Sequence, residues 1–76
     1  MSTQLLDRIT TDPQVMGGQP CLRGLRMRVG DILDLLASGM SNDQILADYP
    51  YLEHDDILAA LAYAARLANH RVIAAE

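Results

Sequence analysis

Beyond Gly30 the apolar residues of this chain fall on helical spacing, and before Gly30 they do not. In the run GDILDLLASG, Ile32, Leu35 and Leu36 share one stripe, Asp31 occupies the first turn where a negative charge suits the helix dipole, and Gly39 supplies a stop. That pattern predicts a short helix. The next run, SNDQILADYP, opens on Ser41 with Gln44 three residues on, the spacing of a capping box, and closes before Pro50. Tyr49 and Tyr51 bracket Pro50 and are expected to lock the turn there. Leu52 then staples the start of a long third helix through EHDDILAALAYAARLANHRVIAA, with Ile57, Leu61 and Ala64 as its core stripe. Glu53 is a poor cap for that helix, although Asp55 and Asp56 complement its dipole. Leu58, Ala62 and Ala65, with Ala59, make a second face of apolar and small residues. Burial on two sides is therefore expected, with a second copy of the chain covering the second face.

The N-terminal part has a different grammar. A short β-prone run covers residues 8–10, turn signals follow at Asp12-Pro13 and Gly17-Gly18, and a second run starts at Pro20, a residue tolerated where a strand begins. From Leu22 onward apolar residues and arginines alternate, with a change of parity at Gly24. A one-residue bulge at Gly24 restores the parity, since glycine reaches positive φ at little cost. Leu22, Leu25, Met27 and Val29 then face the helices, and Arg23, Arg26 and Arg28 face away. Gly18 and Pro20 launch this strand. The fold expected is mainly α: a three-helix helix-turn-helix bundle of homeodomain-like type over residues 30–76. A short N-terminal β arm or hairpin over residues 1–29 completes one compact domain.

Composition narrows the function. A chain of 76 residues is near the lower limit for folding alone and buries only about 60–65% of its unfolded surface, so a partner or second copy is an asset. The net charge is −4 and the six basic residues are all arginine, a balance that disfavours indiscriminate nucleic-acid binding but permits a local arginine patch. One cysteine makes no internal disulfide, and Cys21 beside Pro20 reads as a small core residue rather than a reactive thiol. His54 and His70 stand far apart with no nucleophile spaced to either, so neither an enzyme nor a metal or other cofactor is expected. The first ten residues lack a basic stretch followed by a long apolar run, and a reducing cytoplasm is the expected setting.

Several segments together carry a family resemblance: Gly18 with Pro20, the RGLR of residues 23–26, Val29, the turn at Gly39, the DYPYL of residues 48–52, and Asp56, Ile57, Ala60 and Leu61. Over residues 9–65 the chain resembles the small bacterial and archaeal family called Domain of Unknown Function 433. The resemblance implies a helix-turn-helix core and an antitoxin-like role, often opposite a small toxin similar to PIN-domain ribonucleases. The chain departs from the family at Arg28, where proline or threonine is frequent, and at Glu53, where threonine or serine is usual.

The arginines admit two readings. Their planar forks suit bidentate capture of carboxylate or phosphate on a partner, and they equally suit the chain's own aspartates. Arg28 is expected to be the freest of the three. A helix-turn-helix that reads DNA presents basic and polar groups at the start of its last helix, whereas here that start is Glu53, His54, Asp55 and Asp56; Arg66, His70 and Arg71 sit at its other end. If operator DNA is bound, the arginine strand of a dimer is the better candidate. Three functions stay open at this point: an antitoxin-like module that neutralises a PIN-like ribonuclease, a DNA-binding regulator of its own operon, and a structural dimerisation module.

Overall fold

The computed structural model describes residues 3–75, and side chains over residues 4–69. The elements in order are α1 (Thr3–Leu6), β1 (Ile9–Thr10), β2 (Cys21–Leu22), α2 (Val29–Ala37), α3 (Asn42–Asp48) and α4 (His54–Ala75), with one 3-10 turn at Met16–Gly18. It is a small α bundle carrying a two-stranded β arm, as the pattern predicts, with α1 as an addition that the pattern does not reveal.

The helices end and begin where the sequence punctuates them. Gly39, at φ +101°, closes α2 in a Schellman motif: its N–H donates to the Leu36 carbonyl and the Met40 N–H to the Leu35 carbonyl. Only glycine takes that φ without strain. Ser41 and Gln44 form the reciprocal capping box of α3, Gln44 N–H donating to Ser41 Oγ at 3.1 Å and Ser41 N–H to Gln44 Oε1 at 2.8 Å. Ser41→Ala is expected to cost about 1 kcal/mol, read as a lower urea midpoint at unchanged slope. Below Pro50 the Leu52 N–H donates to the Tyr49 carbonyl at 2.9 Å, a turn that drives the Leu52 side chain into the core.

The arm differs from the expected bulged strand. β1 pairs antiparallel with β2, Ile9 opposite Leu22 and Thr10 opposite Cys21. After Leu22 the chain does not continue as a strand. Arg23 and Gly24 both take left-handed φ, +51° and +71°, and the chain reverses: Leu25 N–H donates to the Leu22 carbonyl, Leu22 N–H to the Met27 carbonyl and Val29 N–H to the Pro20 carbonyl. Cys21 is bridged to Arg28 on the returning segment. A glycine at positive φ serves a reversal as well as a bulge. The reversal buries Leu22, Met27 and Val29 together, with Leu25 packed partly buried beside them. Its price is the arginine face: Arg23 stands at the tip, Arg26 in the loop and Arg28 on the return, so they share no strand surface.

The core joins these residues to Ile32 of α2, Ile45 of α3, Leu52, and Ile57, Ala59 and Ala60 of α4. α4 packs against α1, α2 and α3 in turn. Leu61, expected in the core stripe, is instead 43% exposed. Successive residues of a helix step by about 100°, which sets Leu61 with Leu58 and Ala65 on the side away from Ala60. Tyr63 takes the inward place. Ala59, expected on the second face, is buried in the core, and among the proposed interface residues Leu58 and Ala62 are half-buried and Ala65 is exposed, so the second face of α4 is open only in part in the single chain.

Candidate functional site

Asp56 is the one charged side chain buried completely among the described residues. It lies in the first turn of α4, where its Oδ2 accepts the Glu53 N–H at 2.8 Å, and so it supplies the cap that Glu53 does not. Arg23 grips it with both arms of its fork, Nε to Oδ1 at 3.0 Å and Nη2 to Oδ2 at 2.7 Å. Arg8 adds Nη1 to the same Oδ1 at 3.0 Å. Both oxygens are thus shared between charged donors and a backbone N–H, the arrangement a buried carboxylate requires.

The arginines reach outward from this acid. Arg23 Nη2 also donates to the Tyr51 carbonyl at 3.0 Å, and Arg8 Nη1 to Glu53 Oε1 at 2.8 Å. Arg8 stands 3.6 Å from Asp55 as well. The hairpin tip is further held to β1 by Gly24 N–H donating to Thr10 Oγ1 and Arg23 N–H to the Arg8 carbonyl. Burial pushes the Asp56 carboxyl up, but the Arg23 guanidinium, the Glu53 N–H and Arg8 together outweigh it and hold the carboxyl below its usual range. Arg23 reaches Asp56 from the tip with its backbone in the left-handed region, at φ +51°. Arginine is uncommon there, and the position combines a strained backbone with a side-chain anchor.

The other two arginines part company. Arg28 is committed to Asp31, with Nη2 to Oδ1 at 2.7 Å and Nε to Oδ2 at 3.1 Å, while its own N–H donates to Asp31 Oδ2. The Arg28 guanidinium lowers the Asp31 carboxyl for that reason. This corrects the expectation that Arg28 is the freest. Arg26 is the open one: it is exposed, and among the described residues it has no hydrogen-bond or ion-pair partner. The remaining motif residues have backbone roles: Gly18 turns at φ +83°, and Pro20 lends its carbonyl to Val29.

Sequence reasoning missed Arg8 and the central place of Asp56. A signal for Asp56 exists, an acid three residues after Glu53 in the half of a capping box that reaches back. For Arg8 there is none, because its partners lie 45 and 48 residues away. Cys21 is buried with Sγ on the Gln19 carbonyl, and His54 is exposed beside Asp55. The side chains of His70 and Arg71 lie outside the described residues. Among the described residues no three His, Cys, Asp or Glu side chains gather to hold a metal ion, and no helix is long and apolar enough to cross a membrane.

A β arm clasped through two arginines to a buried acid at the start of the last helix defines a small, internally latched α module. The chain belongs to the family of proteins of unknown function DUF433, whose signature it matches over residues 9–64. It is 36% identical over 56 residues to the uncharacterized protein y4eO of Sinorhizobium fredii, a match that covers 74% of this chain and 25% of that protein. The chain therefore spans about a quarter of the length of that relative. No solved structure matches it.

Proposed function

We propose that this chain is a binding module, the antitoxin-like partner of a small PIN-like ribonuclease, which works as a dimer built on the outer face of α4. The observation that carries the reading is that face. Leu58, Leu61, Ala62 and Ala65 turn away from a core already complete on the other side, and Leu61 alone leaves 43% of its surface to water. A contiguous apolar strip on so small a domain is the mark of a protein contact. The identity of the partner is drawn from the family resemblance of the RGLR and DYPYL segments. Neutralisation then follows from coverage, a protein seated over the nuclease groove excluding RNA.

The DNA-binding alternative finds less support. Glu53 and Asp55, both exposed, stand at the start of α4 where a recognition helix meets phosphates, and Arg23 and Arg28 are engaged with their own carboxylates. Co-expression with the product of the adjacent reading frame tests the proposal. The expected result is a co-purifying complex and rescue of growth from that protein's toxicity. Failure of both, with this chain folded and abundant, overturns it.

A further inference from the structure

Two segments that are remote in sequence, the hairpin tip and the Tyr-Pro-Tyr turn, meet across α2. Between them lies a groove of about 420 Å³ lined by Arg26, Met27, Asp31, Asp34, Leu35, Tyr49 and Tyr51. Its walls differ in chemistry. Met27 is buried and Leu35 half-buried, giving an apolar floor. The Tyr49 and Tyr51 rings stand edge to face, centroids 6.3 Å apart at 74°, which makes one wall an aromatic corner. Arg26 supplies the cation. Arg8, Arg23 and Arg28 each hold a carboxylate of this chain, whereas Arg26 holds none among the described residues, although Asp34 lines the same groove.

The groove is braced. Arg23 donates to the Tyr51 carbonyl from its place on Asp56, and Arg28 keeps Asp31 neutralised at the far edge. An unengaged guanidinium over an apolar floor, in a groove at the small end of ligand-site volumes, matches a carboxylate carried next to an aliphatic side chain. A polyanion is a worse match, since the exposed Asp34 and a chain charge of −4 repel a run of phosphates. An aromatic corner with few rotamers is also what peptide-binding surfaces favour.

We infer that this groove receives an acidic, aliphatic peptide segment of a protein partner, its carboxylate on Arg26 and its neighbouring apolar side chain on Met27 and Leu35 between the tyrosines. The inference rests on the reading of the chain as a protein-binding module and names the chemistry that the module recognises. Titration of the 15N-labelled chain with capped synthetic hexapeptides tests it. The panel comprises a Leu/Glu peptide with a single carboxylate, Ala-Ser-Leu-Glu-Ser-Ala, its Leu/Gln analogue, its Leu/Lys analogue and oligo-dT. The expected result is amide shifts at residues 26–27, 34–35 and 49–51 with the Leu/Glu peptide. Binding is expected to weaken about tenfold for the Leu/Gln analogue and for Arg26→Gln, the scale of one charge-assisted hydrogen bond. Arg66→Gln is expected to leave binding unchanged, and Asp34→Asn to tighten it. No shifts with the Leu/Glu peptide, equal binding of the Gln analogue, preference for the Leu/Lys peptide, insensitivity to Arg26→Gln, or the same shifts from oligo-dT each overturn it. Peptides alone read the groove and co-purification reads the module, so the two fail separately.

Discussion

Replacing Asp56 with asparagine is expected to lower the unfolding free energy by about 2–3 kcal/mol and the melting temperature by roughly 10–20 °C. Asparagine keeps the shape and one oxygen for the Glu53 N–H. What it loses is the charge that holds Arg8 and Arg23, which are left with desolvated faces and weaker acceptors. Both guanidinium groups retain some access to water, 25% and 33% of their side-chain surface, and that access keeps the loss below the upper range for a fully buried broken pair. Urea unfolding of the variant and of Arg23→Gln, alone and combined, measures the coupling. Additive losses would remove the argument for a latch.

The same acid sets a pH dependence. Its folded carboxyl is held below the unfolded value, so as pH falls the unfolded chain takes up the proton first. Its contribution is complete above the ordinary aspartate value of about 4 and is lost as pH drops from there through the lowered folded value. Asp31, lowered by Arg28, adds a slope of the same sign. Between about pH 5 and 2 the native chain is expected to lose stability more steeply than Asp56→Asn. Parallel curves would show that the carboxylate contributes nothing by its charge.

Ile57→Ala is the second large effect expected, about 3–4 kcal/mol against about 1 for Ile57→Val. Ile57 is fully buried at the meeting of α4 with the rest of the core, and alanine is the better helix former, so helix propensity offsets a little of the packing loss rather than adding to it. A domain of this size has only about 5–10 kcal/mol in all, and the alanine variant is expected to sit close to its unfolding midpoint at 37 °C. Leu61→Ala, one turn further along, removes a similar side chain from the exposed face and is expected to cost the single chain less than about 0.5 kcal/mol. Equal losses at both positions would contradict the two faces assigned to α4. Thermal melts at low protein concentration make the comparison without contribution from self-association.

These contrasts show which features were legible in the sequence. Helix limits were, because Gly39, Ser41 with Gln44, and Pro50 act on their immediate neighbours and carry their chemistry locally. The hairpin reversal was not, because a glycine at positive φ belongs equally to a bulge and to a turn, and what decides between them is how Leu22, Met27 and Val29 reach a common core. Alternation of arginine with apolar residues likewise resembles a strand with a cationic face. Its meaning changed with Asp56, 33 positions beyond Arg23. Leu61 was misplaced for a related reason: a helix with apolar residues on two sides does not announce which side the bundle takes, and Tyr63 settles that only through its packing. Of the candidate site, Arg26 was visible as a basic residue. Its freedom was not, since that depends on where every neighbouring carboxylate is spent.

The clasp on Asp56 also bears on the order in which the chain assembles. Its members come from positions 8, 23 and 56, so forming it closes loops of 48 and 33 residues, and loop entropy must be met before those contacts return anything. α2, α3 and α4 are joined by short turns and capped by their own neighbours, and they can gather first. The arm is then expected to dock last and to open first, which native-state hydrogen exchange checks by earlier exchange at Leu22 and Arg23 than at Ile57. The arm is thus expected to wait on an acid that the ribosome delivers 48 residues after Arg8.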